Sequence, residues 1–331
     1  MAFLLFILVN AALFIRPGEI VPDLEQWSIY QWLILACLLV AYPRVFDQFT
    51  REALLSRPIT VCVVGMWVAV VLSNLVRMAT FEARETGFAF GKVILYYLLL
   101  VAVVDTPERL RKLLLCLAGF ITILALIAVL QYHGVIQMAS LTTLEEKQFD
   151  AETGELVVIP RLRSTGIFND PNDLCLVLGL GIQISLYFAG DKRHGPLRFA
   201  WLAPVALFGY TLVRTQSRGG LLGVAAGLLV LGYARYGWRK TAAVTVVAVP
   251  VLLAAIGGRQ ASFDVTDKEN TGQERVQVWA EGFALFMHSP VFGIGASKYD
   301  DEVGLVAHNS FIHGYVELGM FGGTLFVGAF S

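Results

Sequence analysis

Long apolar runs separated by short charged clusters set the pattern of this chain. A helix needs roughly 20 predominantly apolar residues to cross a bilayer core. About ten stretches of that kind fall near 2–15, 27–42, 58–79, 88–104, 112–133, 172–189, 199–213, 219–235, 240–256 and 308–330. Lipid offers a bare peptide group no hydrogen-bond partner, so such stretches predict helices. The expected fold class is therefore all-α, a polytopic transmembrane helical bundle with an interfacial helix on one side. The first stretch lacks the basic leader and small-residue cleavage site of a secretory signal and reads as a retained span. An apolar run still in progress at Ser331 predicts that the natural chain continues, by about two spans.

The polar intervals divide this single membrane domain. N-terminal helices occupy 1–133, a first outer loop 134–171, central helices 172–256, a second outer loop 257–307 and a last span 308–331. The first loop carries Glu145, Glu146, Asp150, Glu152 and Glu155, with a hairpin turn expected at Thr153-Gly154 and extended chain over 155–160. At its end, Asn169 or Asp170 caps the next helix and Pro171 takes the first helical position, where its missing amide costs nothing. In the second loop Val276, Trp279, Ala280, Phe283, Phe286 and Met287 recur at helical spacing over 273–289. That pattern predicts an amphipathic helix lying on the outer leaflet.

Composition excludes a soluble domain: 56% of the 331 residues are apolar and 15% charged. Charge then orients the spans. With the N-terminus cytoplasmic, the loops at 43–57, 105–112, 190–198 and 235–240 hold twelve basic and five acidic residues, +7, leaving −8 elsewhere. No nucleic-acid partner is expected. Cys37, Cys62, Cys116 and Cys175 lie within spans and read as small fillers of helix interfaces.

Against this charge trend, several arginines fall on the outer side. Arg161 and Arg163 precede the capped helix start, a partly positive end suited to an anion. Arg214 and Arg218 are four apart, one face of a helix if the helix persists, and together form a fork for phosphate oxygens. Gly219, Gly223 and Gly227 follow at a spacing that lets another backbone approach. Arg275 lies on the amphipathic helix, and His308-Asn309 opens the last span. His313 and Glu317, four apart, are placed to pair. Arg77 and Lys92 read as snorkelling to the interface.

Four sets of residues, in order, resemble the O-antigen ligase and O-antigen polymerase superfamily. They are Arg163, Gly166, Phe168 and Pro171-Asn172; Thr215-Gln216-Ser217-Arg218-Gly219-Gly220; Arg275 and Trp279 leading to Ser289-Pro290-Val291-Phe292-Gly293-Ile294-Gly295; and Ala307-His308-Asn309-Ser310-Phe311 with Glu317-Leu318-Gly319. The resemblance implies a polytopic, inverting glycosyltransferase of the type C kind in the bacterial inner membrane. Such an enzyme moves a glycan from an undecaprenyl diphosphate carrier to an acceptor hydroxyl on a glycan, lipid or protein, on the periplasmic side. It also implies no metal and no cofactor. Arg218 and Arg275, and less closely Arg214 and Arg163, then match arginines that hold the carrier diphosphate. His308 matches the histidine that activates the acceptor, with Asn309 and Glu317 in support.

Two other readings remain open at this stage. A metal-dependent transferase would use Asp170 and Asp173, or Asp300 and Asp301, although neither pair forms a D-x-D motif. A transporter or flippase of a lipid-linked or anionic solute would also place arginines near the membrane, but closer to its midplane. The transferase reading expects Arg163, Arg214, Arg218, Arg275 and His308 to converge within about 15 Å, a spacing that tightens only when substrate binds. Arg161 is expected outside that site, in solvent.

Overall fold

The computed structural model describes residues 1–24, 26–138, 141, 144–149, 156–243, 245–246 and 271–330. Among them, eight helices are long and apolar enough to cross a membrane, from Ala2–Ile20 to Gly219–Tyr236. The protein is a polytopic helical membrane protein. Its main helices are α1 (Ala2–Ile15), α2 (Ile29–Phe46), α3 (Pro58–Leu75), α4 (Thr80–Val103), α5 (Pro107–Tyr132), α6 (Pro171–Ala189), α7 (Leu202–Arg214), α8 (Arg218–Tyr236), α9 (Thr271–His288), α10 (Tyr299–Val303) and α11 (Ser310–Gly328). The span expected at 240–256 lies largely outside the described residues. α4 begins earlier than the apolar pattern suggests, because its first turns carry Glu82, Arg84 and Glu85, which a hydropathy reading passes over.

One hairpin interrupts the helices: β1 (Leu144–Phe149) pairs antiparallel with β2 (Leu156–Arg161), from Leu144 opposite Arg161 to Phe149 opposite Leu156. The expected extended segment is present, whereas the turn at Thr153-Gly154 lies outside the described residues.

Packing divides the chain into two units. The first comprises Phe3–Ala36 and Val104–Phe263, the second Cys37–Val103 and Asp264–Ser331, apart from the two leading residues. In the first, α6 packs against α5, α7 and α8. Its core joins Ile121, Leu124, Ala125 and Ala128 of α5 with Leu174, Cys175, Leu178 and Ile182 of α6, closed by Phe208, Leu212, Leu221 and Val224. Between helices in lipid, close packing rather than water exclusion drives association, so small residues mark the contacts. The glycine series was expected to act at Gly219, Gly223 and Gly227. Of these, Gly227 makes a close approach, against Gln183, and Gly223 only ordinary contact with Leu176; a further close approach falls at Gly220, where a Cβ would meet the Cys175 sulfur. Gly219 faces open space.

Helix starts follow the sequence signals. Asp170 accepts from the Asn172 amide at 2.6 Å with Pro171 leading α6, and Ser217 accepts from the Gly220 amide at 3.1 Å at the head of α8. That second cap also corrects an expectation. The chain leaves helical geometry between Arg214 and Arg218, with Gln216 at φ 55°, so the two arginines end one helix and begin another rather than sharing a face.

In the second unit α3 packs on α4 and on α11, and α9 packs directly on α11 and also touches α10. Its core is Val278, Ile294, Tyr299, Ala307 and Val316.

Candidate active site

The site is built from α9 inward. Val278 and Gly282 of this helix are buried, and Trp279, Leu285 and Phe286 pack on the same core. A Cβ on Gly282 would meet the Tyr299 hydroxyl at 2.3 Å, and that hydroxyl donates to the Val278 carbonyl at 2.8 Å. Burial, and then the Glu281 carboxylate, push the Tyr299 phenol above its usual range, which keeps it a neutral donor. The expected apolar stripe therefore splits. Trp279 and Phe286 turn inward, while Val276, Ala280, Phe283 and Met287 form an exposed line along the helix.

Trp279 reaches the residue next to the key histidine. Its indole N–H donates to the Ala307 carbonyl at 2.7 Å. On the other side, the Asn309 side chain accepts from the Phe311 and Ile312 amides at 3.0 and 3.2 Å, capping α11. His308 is pinned between these anchors at φ 48°, a region uncommon outside glycine, and its side chain is exposed. Because backbone strain persists only where surroundings over-determine it, this outlier marks the position as a functional candidate. Trp279→Phe keeps the ring but removes the donor. Its expected result is a stability loss of about 1 kcal/mol and turnover lower by roughly 10- to 100-fold, read by thermal melting beside product formation. Unchanged turnover would mean that this anchor does not set His308.

Glycine explains the next feature. α11 breaks at Gly319, whose φ of 65° and ψ of −167° belong to a region that is essentially glycine-only. The loop 289–295 repairs the break. Ile294 and Gly295 amides donate to the Val316 and Glu317 carbonyls at 2.9 and 3.0 Å, and Met320 and Phe321 amides donate to Pro290 and Val291 carbonyls at 2.8 and 3.2 Å. At the crossing, a Cβ on Gly293 would lie 2.2 Å from the Glu317 carbonyl oxygen. The last expected span therefore has a helix in its place, α11, interrupted at Gly319. Non-helical backbone at such a point requires protein, not lipid, around it.

α3 holds the same loop. Arg77 donates to the Gly293 carbonyl through two nitrogens, at 3.2 and 3.1 Å, and to the Ser289 hydroxyl at 2.6 Å. Ser73 accepts from the Ala296 amide at 3.1 Å. Arg77 is therefore a structural clamp rather than a snorkelling side chain. Its position against the charge trend was the available signal. Lys92 remains exposed, over the Phe88 ring.

Glu317 ties these parts together. Nearly buried, it accepts from the Lys298 and Tyr299 amides at 3.0 and 3.1 Å, at the head of α10. His313 Nε2 lies 3.0 Å from the same carboxylate oxygen, so the expected pairing is present. A cavity of about 940 Å³ opens beside it, lined by His308, Asn309, His313 and Glu317, by Lys298, and by Glu82 and Glu85 of α4. Asp301, weighed above as a metal ligand, is 3.3 Å from the Lys298 ammonium. Arg275 belongs to this unit, exposed on the second turn of α9, and is not among the residues lining the cavity.

The remaining arginines belong to the first unit. Arg161 is buried, contrary to expectation. Its Nε donates to the Thr215 carbonyl at 2.9 Å, where the end of α7 leaves carbonyls without helical partners, and the neighbouring Leu162 amide takes the Arg214 carbonyl at 2.9 Å. Arg163 is half-buried beside it. Arg214 lies over the rings of Tyr132 and Tyr210, at 5.6 and 5.4 Å. His133 Nε2 is 2.7 Å from the Tyr210 hydroxyl. Arg218 opens α8, and the expectation for its side chain lies outside the described residues.

The fold and cavity thus define a multi-pass helical membrane protein with an imidazole-bearing polar site. Residues 203–327 match the family described as O-antigen ligase, so that stretch of the chain is similar to it. The match spans Arg214, Arg218, Arg275, His308, Asn309 and Glu317. Searches of curated proteins and of solved structures give no match.

Proposed function

We propose that this protein is an inverting, metal-independent glycosyltransferase. It would transfer a glycan from an undecaprenyl diphosphate carrier to an acceptor hydroxyl at the periplasmic face of the bacterial inner membrane, as an O-antigen ligase or polysaccharide polymerase does. The observation that carries this reading is the cavity shared by His308, Asn309 and Glu317, within the stretch that the family covers.

The chemistry is balanced as follows. The acceptor hydroxyl gives its proton to His308 while its oxygen forms a bond to the sugar C1, from the face opposite the diphosphate. The C1–O bond to the diphosphate breaks, and its electron pair leaves on the phosphate oxygen. An imidazole suits the first part because its ordinary pKa lies near working pH. The leaving charge calls for fixed donors, the role that the resemblance gives Arg218 and Arg275 and, with them, Arg214 and Arg163. Preorganised guanidiniums supply such stabilisation without reorganising.

Purified protein in detergent, supplied with lipid-diphosphate-linked glycan, is expected to form a longer or transferred glycan. Detergent leaves no compartments, so a transporter gives no product in this assay.

Arg218 provides a sharper test. Arg218→Lys is expected to lose nearly as much turnover as Arg218→Ala, on the order of 10²-fold. An ammonium is a point charge and does not reproduce the planar fork that grips two phosphate oxygens. Restoration of most activity by lysine would leave only a charge requirement.

A further inference from the structure

The cavity holds two imidazoles in opposite circumstances. His308 is exposed, and among the described residues its ring has no hydrogen-bond partner. His313 is fixed twice. Its ring stacks on Tyr299, with centroids 5.0 Å apart and planes at 20°, and its Nε2 lies 3.0 Å from Glu317 Oε1. Two backbone amides hold that carboxylate in turn. An ionised carboxylate only accepts, so Nε2 carries the hydrogen and Nδ1 is the lone-pair nitrogen of the neutral ring. A base oriented by a carboxylate, itself oriented by a third group, is the arrangement that acid–base sites use to fix a tautomer and strengthen a base.

We propose that His313 is a second acid–base residue of this site, the final acceptor of the proton that His308 takes from the acceptor hydroxyl. The inference rests on the transferase reading above. As the sugar C1–O bond to the acceptor forms and the bond to diphosphate breaks, His308 becomes an imidazolium. It passes its proton through cavity water to His313 Nδ1, and the Glu317 carboxylate balances the new charge. One proton leaves for solvent per glycosidic bond made.

Several carboxylates surround His313. Besides Glu317 on its own helix, Asp300 of α10 acts on it through space, and Glu82 and Glu85 line the cavity from α4. Glu281 of α9 acts on the Tyr299 ring that His313 stacks against. The opposing cation is Lys298, placed 3.3 Å from Asp301 and 3.9 Å from Glu82. His308, the proton donor, is the other imidazole lining the cavity.

The test uses the full natural chain in detergent, with lipid-diphosphate-linked glycan purified from the host as donor and acceptor. In the wild type both imidazoles must be neutral, so kcat falls on the acid side with a slope of two. His313→Gln is expected to lower kcat about 10- to 100-fold with little change in KM, to reduce the slope to one, and to regain rate in proportion to added imidazole buffer. Glu317→Gln is expected to move the acid limb to lower pH, because the charge that favours the protonated ring is gone. A wild-type slope of one overturns the proposal without any variant. So does a His313→Gln protein with wild-type kcat, or one whose loss lies in KM and ignores imidazole. Absence of any turnover in the wild type removes the transferase reading itself, and this inference with it.

Discussion

His308→Ala is expected to lower glycan transfer by about 10²–10⁴-fold in kcat and to leave a protein that melts like the wild type and still binds the lipid-linked donor. Ala307 is held by the Trp279 indole and α11 is capped by Asn309, so the chain on either side of position 308 is anchored without help from the imidazole. The side chain itself is exposed in the cavity and supports no packing. Alanine carries the same Cβ at φ 48°, so the melting temperature separates structural from catalytic loss. Donor affinity is spared because the diphosphate role belongs to arginines. Turnover, melting temperature and retention of labelled lipid-linked glycan check the three parts. Wild-type turnover in this variant would reduce His308 to a loop residue, and loss of donor binding would move its role to the diphosphate.

Gly319→Ala is expected to be strongly destabilising in the second unit. The glycine occupies φ 65° and ψ −167°, and a Cβ there would sit 2.3 Å from the Val291 carbonyl oxygen. Forcing an L residue into that region costs about 1–3 kcal/mol. The contact also cannot be relieved by a rotamer change, since the obstacle is backbone. Separating the strands of the crossing breaks the Ile294 and Gly295 bonds to Val316 and Glu317, each worth about 0.5–1.5 kcal/mol. The sum is roughly 2–6 kcal/mol, and turnover falls with it because Glu317 lies on the displaced segment. Gly314→Ala is the control. It sits in the same helix with ordinary contact to Phe326 at 3.8 Å, and it is expected to melt within about 0.5 kcal/mol of wild type. Equal melting of the Gly319 and Gly314 variants would mean that the break does not depend on glycine.

These outcomes bear on what could be read in advance. The His313–Glu317 pair was legible because i,i+4 spacing brings side chains together on any helix. The Asp170–Pro171 cap was legible for a similarly local reason. The shared face of Arg214 and Arg218 required the helix to persist, and that condition is not met, since Gln216 at φ 55° ends it. Arg161, assigned to solvent, is buried because the end of α7 needed a donor that its own sequence does not supply.

What the sequence determined by itself is the spanning pattern, the capped helix starts and the presence of His308 between two marked residues. Lipid allows long apolar runs few conformations, and caps act over two or three residues, so both are local properties. Only the tertiary structure decided that α11 breaks at Gly319, that Arg77 clamps the 289–295 loop from more than 200 positions away, and that Trp279 holds the peptide before His308. Each of these depends on a backbone carbonyl or amide left unpaired at one place and satisfied from another. No periodicity along the chain records where such a partner comes from.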